Sequence, residues 1–379
     1  MNFAFNEEQL ELREMARAFL TEHSGSEQVR AAMETAAGYD PKVWDRVGAE
    51  LGWTAVTIGE AHGGLGLGTV ELVALMETMG EALFCSPFFA TICLAATAIG
   101  AAGTEAQKAA LLPGIAEGAT RATLAWTEAA GSWDCDAIAT TATPEGGGHV
   151  LAGEKHFVVD GHTADLLVLA ARAPGSEGAA GVSLFAVPSA TPGVHATPVT
   201  TMDATRRLAR VSLDGVRVDG DALLGAAGHG SAALERTRHL AAIGLAAEQV
   251  GGAQRCLDMA VAYSLEREQY GRPIGSFQAL KHTMADMMVD VESARSAVYY
   301  AACAADAGSD DLAALSSMAK AVASDAYQRC AGDALQIFGG VGFTFEYDIH
   351  LYFKRARSTA AMLGDAAEHR ERVARELGL

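Results

Sequence analysis

Two short segments of this chain carry the residue types and spacing needed to hold an anionic, dinucleotide-like ligand. The first reads Arg267-Glu-Gln-Tyr270-Gly271-Arg272-Pro273-Ile-Gly275-Ser-Phe277-Gln278, with an arginine just before a tight Gly/Pro turn and a glutamine just after it. The second, further on, is Gln336-Ile-Phe-Gly339-Gly340-Val-Gly342-Phe343. Arginine presents a rigid fork of donors that suits phosphate oxygens. A glycine pair lets backbone N–H groups approach a ligand closely, because no Cβ intervenes. The amides of Gln278 and Gln336 can bond ribose or phosphate without adding charge. Taken singly, Arg267 would pass for a surface ion-pair residue and Gly339–Gly340 for a helix break. Both motifs in order, in an otherwise helical half of the chain, point to a binding site.

The rest of the chain must position these segments. With 379 residues, half of them hydrophobic, the chain can bury a large core and is expected to divide into about two or three domains. The longest apolar stretches are Ala-rich and interrupted by Glu, Gln or Gly, so no transmembrane helix is expected. Met1-Asn-Phe-Ala-Phe5 has no basic region followed by an apolar core, so a signal peptide is not expected. The formal net charge of -19 argues against nucleic acid or an anionic membrane as the main partner. Cys85, Cys93, Cys135, Cys256, Cys303 and Cys330 show no C-x-x-C spacing and no zinc-like pairing with histidine. They read as reduced cytoplasmic thiols, mostly in the core, and no metal site is expected.

Asn6 with Gln9 is a candidate capping pair, and Leu12, Met15, Ala16 and Phe19 then share a helical face. The Gly-rich run 59–68 has the look of a phosphate cradle. It lacks G-x-G-x-x-G and a strand–helix context, so a turn before the next helix is the preferred reading. Helices are expected at 69–81 and 87–114. From about Arg121, Val, Thr and Gly rise and short alternating runs appear at 150–159, 166–171, 182–187 and 211–218, separated by Gly/Pro clusters. Helical patterning returns after Gly230, with Ser231 a candidate cap, and predicts helices to about Glu266 and over 277–307, 310–338 and 346–377. The expected class is α+β: an N-terminal helical domain (1–120), a middle antiparallel β-domain (121–229) and a C-terminal four-helix bundle (230–379).

This order, together with the two motifs, resembles the acyl-CoA dehydrogenases, flavoenzymes that oxidise acyl-CoA thioesters. The resemblance spans essentially the whole chain and implies FAD as cofactor. It places Arg267, Gln278, Gln336, Gly339 and Gly340 on the cofactor of a neighbouring subunit, with Tyr270 and Phe277 also among the cofactor-binding residues. It also implies two middle-domain segments around the flavin. One is Thr127-Glu-Ala-Ala-Gly131-Ser132, against a family pattern of Thr-Glu-Pro-Gly-Ala-Gly-Ser-Asp; here it is one residue shorter and lacks the Pro. The other is Lys155-His-Phe157-Val-Val159-Asp160-Gly161, against Lys-x-Trp-Ile-Thr-Asn-Gly. Phe157 can replace the packing aromatic. Val159 cannot replace the hydroxyl near the flavin N5, although a backbone N–H could supply that bond. Simple drift and a weakened isoalloxazine pocket both remain open.

The same register shows no catalytic base. The family sets a Glu before a Gly after a basic segment; here that segment is Lys354-Arg355-Ala-Arg357, and Leu363 stands at the Glu position. Ala241 stands at the alternative position used by a minority of members. Glu248, seven residues and roughly 10 Å along the helix from Ala241, is a possible substitute. So is Asp365, unless it caps a helix or pairs with Arg370 or Arg372. The catalytic residue is therefore unassigned. The chain is similar to the base-less subunit of heteromeric actinobacterial acyl-CoA dehydrogenases, notably those acting on sterol side chains. That implies an acyl-CoA substrate, an electron-transfer flavoprotein as acceptor, and a homotetramer or an α2β2 heterotetramer in the cytoplasm. A stand-alone enzyme with a non-standard base and a non-catalytic acyl-CoA-binding or scaffolding protein are the alternatives.

Overall fold

The computed structural model describes residues 6–379; the signal-peptide reading of residues 1–5 lies outside the described residues. Helix α1 (Glu7–His23) starts where the sequence places it, with Asn6 and Gln9 capping each other reciprocally. Its buried stripe is Ala16, Phe19 and Leu20, whereas Met15 is 57 % exposed. Met15 precedes Ala16 by one residue, a turn of about 100°, which puts it at the edge of the stripe. Helices α2 (Ser26–Glu34), α3 (Pro41–Asp45) and α4 (Thr69–Glu81) follow. In the glycine-rich run before α4, the amides of Gly64, Leu65, Gly66 and Leu67 bond the carbonyls of Gly59, Ala55, Ile58 and Val56. Those donors are spent on the turn itself, as its structural reading requires.

The single helix expected over 87–114 is divided. A wide-turned stretch, Phe89–Ala96, leads into α5 (Thr97–Ala102), and Thr104 with Gln107 caps a fresh start at α6 (Glu105–Ala116). A capping box supplies partners for orphan amides and so favours a new N-terminus there.

The middle region is one eight-stranded sheet. Its strands are β1 (Ala122–Ala125), β2 (Thr141–Glu145), β3 (Gly148–Val159), β4 (Leu166–Arg172), β5 (Val182–Pro188), β6 (Val194–Val199), β7 (Leu208–Val218) and β8 (Leu223–Leu224). They run in the order β6-β7-β3-β2-β4-β5-β8, with β1 on β4. The sheet is not purely antiparallel as expected: β1 and β2 both pair parallel to β4. The β2–β3 hairpin lies within the connection from β1 to β4 and gives the chain the length a parallel pairing needs. Leu151, Leu167, Leu169, Phe185, Val187, Val211 and Val216 fill the apolar core beneath it.

Helix α7 (Gly230–Glu266) begins one residue before Ser231, which donates to the carbonyl of Ala179 instead of capping. A two-residue hairpin, β9 (Glu268–Gln269) with β10 (Arg272–Pro273), joins it to α8 (Gln278–Asp306), and α9 (Leu312–Phe338) follows. The last expected helix is two, α10 (Ile349–Ala361) and α11 (Ala366–Glu376), broken at 362–365. Leu363 adopts a φ of 62°, which no α-helix accommodates.

The chain forms two compact units. One comprises residues up to Ala31, Thr69–Phe84 and Ala242–Leu379; the other comprises Ala32–Gly68 and Cys85–Ala241. Within the first, α4 and α7 touch backbone to backbone. A Cβ at Gly251 would lie 1.8 Å from the Glu77 carbonyl oxygen, and one at Gly80 would lie 2.0 Å from that of Glu248. Among the described residues no helix is long and apolar enough to cross a membrane.

Candidate functional site

In the helical unit the two motifs meet at one end. Tyr263, the residue whose carbonyl accepts the Arg267 amide, stacks on Phe338 at 4.2 Å between ring centroids. Phe338 immediately precedes Gly339, so the end of α7 and the end of α9 are fastened together, and Tyr347 packs edge-on against both rings. The hairpin turn at Tyr270–Gly271 has φ of 55° and 74°, the pattern of a tight two-residue reversal. Tyr270 is 94 % exposed there and meets Phe277 edge-on, while the guanidinium of Arg272 lies 4.2 Å over the Phe277 ring. These contacts stiffen the turn that carries Arg267. Gln278 opens α8, its amide in contact with His282.

Arg267 and Gln336 are exposed, and among the described residues neither side chain has a partner. Gly339 sits at φ 63°, ψ -142°, a conformation essentially reserved for glycine. A Cβ at Gly339 or Gly340 would meet nothing within 4 Å. This end of the unit therefore offers a cation, an amide, open glycine backbone and an exposed aromatic ring, a donor set that fits the pyrophosphate and nucleoside tail of FAD.

In the sheet unit the other two segments are laced together. The Thr127 hydroxyl donates to the His156 carbonyl at 2.6 Å, and the His156 amide donates to the Thr127 carbonyl at 2.9 Å. A bulge in β3 between Lys155 and Val158 breaks the strand alternation. Bulges re-aim side chains; here Phe157, at φ 56°, is left 44 % exposed while Val158 enters the core. The Phe157 ring lies 3.8 Å from where a Cβ on Gly131 would be, next to Ser132, whose hydroxyl accepts from the Asp134 amide. Val159 is 2 % exposed, with its carbonyl bonded by Thr123, so Phe157 is the more open of the two.

Two charged devices hold this loop, and neither was assigned a role from the sequence. Glu128 accepts from Lys155 Nζ at 2.7 Å, from the Thr140 hydroxyl and amide, and from the Ala139 amide, closing the loop 128–140 at its base. Burial pushes the Lys155 ammonium down to about 8, against the pull of Glu128. Burial pushes Glu128 up, but Lys155 and Thr140 outweigh it and hold the carboxyl below its ordinary value. Arg172 donates to the carbonyls of Ile138, Ser176, Cys135 and Gly178, pinning the far side of the same loop. Their charges were the available signal; their partners are set only by the sheet.

Ala241 and Leu363 are both 0 % exposed. Glu248 is buried in an ion pair with Arg355 at 2.8 Å, their side chains 4 % and 2 % exposed. Asp365 is the N-cap of α11, accepting from the Glu368 amide while Glu368 accepts from its own. That is the capping role weighed against its use as a base. Of the two arginines weighed as alternative partners, Arg370 pairs with Asp325.

Known proteins share this fold. Family models for the acyl-CoA dehydrogenase N-terminal, middle and C-terminal domains match residues 6–119, 123–216 and 228–378. The chain is 35 % identical to the acyl-CoA dehydrogenase IpdE2 of Mycolicibacterium smegmatis, over 98 % of this chain and 99 % of that one. Its fold is similar to that of butyryl-CoA dehydrogenase from Megasphaera elsdenii, with a TM-score of 0.93, 28 % identity and complete coverage of both chains. It is also similar to a chain of the ChsE4-ChsE5 complex from Mycobacterium tuberculosis, with a TM-score of 0.89, 27 % identity and coverage of 100 % and 99 %. Matched in all three domains from end to end, the chain belongs to the acyl-CoA dehydrogenase family, whose cofactor is FAD.

Proposed function

We propose that this protein is a subunit of an acyl-CoA α,β-dehydrogenase that holds FAD across a subunit interface and leaves removal of the α-proton to a carboxylate on a partner chain. Bound FAD supplies the acceptor for the β-hydride. Arg267, Gln278, Gln336 and the Gly339–Gly340 turn hold the cofactor tail of a neighbour, with Tyr270 and Phe277 shaping the turn. Thr127, Ser132, Phe157 and Val159 border the flavin. The observation that carries the base-less reading is the set of four positions just described. Ala241 and Leu363 have nothing to titrate, Glu248 is neutralised by Arg355, and the Asp365 carboxylate is spent on a helix cap. The existence of a two-component complex among the structural relatives supports a partner, and an electron-transfer flavoprotein is the acceptor we assign. A dye-reduction assay of the pure chain, alone and mixed with a base-bearing family member, tests the proposal. An FAD spectrum separates it from a purely scaffolding role.

Arg267→Ala should remove one charge-assisted contact to the pyrophosphate, on the order of 2 kcal/mol, or roughly thirtyfold in affinity. The variant should purify with markedly less flavin at unchanged fold by circular dichroism. Full flavin occupancy would refute the assignment of Arg267.

Sharing a cofactor between chains links assembly to FAD binding. The protein, with or without its partner, is therefore expected as a tetramer built from two dimers. Light scattering that found an FAD-loaded monomer would exclude this.

A further inference from the structure

We propose that Lys320 is a positioning residue: from within α9 it holds the backbone around the Leu363 turn and so fixes where the side chain at position 363 is carried. Lys320 is 0 % exposed. Its three ammonium protons have three acceptors: the Ser324 hydroxyl at 2.8 Å, the Ala360 carbonyl at 3.3 Å and the Gly364 carbonyl at 3.3 Å. The two carbonyls flank Met362 and Leu363. Ala360 lies in the last turn of α10, where carbonyls have no intrahelical partner and a cation is favoured.

The grip extends backwards through buried polar groups. Ser324 donates to Gln249 Oε1 at 3.1 Å, Gln249 donates to the Thr359 hydroxyl at 3.2 Å, and Thr359 donates to the Arg355 carbonyl at 2.8 Å. Helices α7, α9 and α10 are thereby tied to one turn. From the other side, a Cβ on Gly364 would meet Glu368 Oε2 at 2.9 Å and His369 Nε2 at 3.4 Å, so α11 closes against it.

Leu363 itself is in the left-handed region, at φ 62°. Leucine rarely adopts this conformation, and it persists only where the surroundings over-determine it. The charged groups acting on Lys320 are Asp365, Asp325 and Glu368, which favour the ammonium; burial opposes them and lowers it to about 7. Such a turn is costly for an ordinary helix break. It suits a place where one side chain must point one way.

This inference rests on the proposed reading that position 363 is where the family's base would stand, beside the acyl group, and the test keeps the two apart. Leu363→Glu is made alone and with Lys320→Met, and Lys320→Met is also made alone. The holoproteins are assayed by dye reduction with butyryl-CoA through palmitoyl-CoA. In parallel, the methyl resonances of Leu363, assigned by their loss in L363E, are followed by NMR. K320M should shift or broaden the Leu363 methyls while leaving those of Leu245 in α7 unmoved. Added to L363E, it should cut kcat at least tenfold at unchanged flavin content and KM. Leu363 methyls that stay in place in folded K320M overturn the proposal. If L363E binds flavin but gains no turnover, the acyl-facing reading falls, and the methyl result alone decides on Lys320. Should K320M fail to fold, Ser324→Ala keeps the ammonium and removes one partner; unmoved methyls there overturn the proposal equally.

Discussion

Arg355→Met is expected to lower the stability of the helical unit by about 3–5 kcal/mol. Arg355 and Glu248 are both almost fully buried and bonded at 2.8 Å. Removing the guanidinium leaves a carboxylate in a low-dielectric interior with its main cation gone, and the desolvation of that charge is no longer offset. Replacing both partners by apolar residues of similar size, Glu248→Leu with Arg355→Met, removes both charges and should recover most of the loss. The difference between single and double variants isolates the ion pair from the packing of the two stems. Urea unfolding monitored by circular dichroism reads the effect as a displaced midpoint. A single R355M variant within about 1 kcal/mol of the parent would mean that Glu248 is neutralised by other means. The same pairing bears on chemistry. A carboxylate bonded to a buried arginine is held in place, and it cannot swing toward a substrate carbon without breaking that bond.

Much of the fold was legible because the signals were local. Asn6 and Gln9 announce a capping box with two side chains three residues apart, and the box is there. The turn at Tyr270–Gly271 is written in its own Gly and Pro. The two segments proposed to hold the cofactor tail were likewise picked out by residue type alone, an arginine, two glutamines and a glycine pair, and the structure brings both to one end of the helical unit. What brings them to that end, the stacking of Tyr263 on Phe338, links positions far apart in sequence and has no local signature.

The errors share one cause. The break between α10 and α11 falls at Leu363, a good helix former, and nothing in that residue predicts a positive φ. Buried hydrogen bonds from α9 accompany it, and Lys320, which donates them, looks in the sequence like an ordinary surface lysine. Glu128 and Lys155 are similarly hidden, because they lie 27 residues apart and only the folded sheet brings them together. The parallel pairing of β1 and β2 with β4 is set by where the β2–β3 hairpin returns, and strand composition does not encode it. Asp365 shows the converse case: the helix cap weighed as an alternative to its use as a base is what forms.

The isolated chain, loaded with FAD, is expected to oxidise acyl-CoA esters about 10²–10⁴-fold more slowly than the assembly formed with a base-bearing partner, the usual cost of lacking a general base. Dehydrogenation requires that the α-proton leave as the β-hydride departs. Leu363 and Ala241 cannot accept a proton at any pH, and the carboxylates of Glu248 and Asp365 are engaged elsewhere. Mixing with the partner should restore turnover, because the partner then supplies the missing carboxylate. Glu248→Gln and Asp365→Asn should leave the rate of that assembly near its starting value, apart from losses traceable to stability. The opposite outcome is equally specific. Rapid turnover by the pure homo-oligomer, abolished by either substitution at unchanged flavin content, would make this chain a self-sufficient enzyme with a displaced base. A protein that takes up no flavin in any combination would leave only the scaffold. The magnitude makes the assay decisive, since a hundredfold deficit in dye reduction lies far outside the variation that preparation or partial flavin loss can produce.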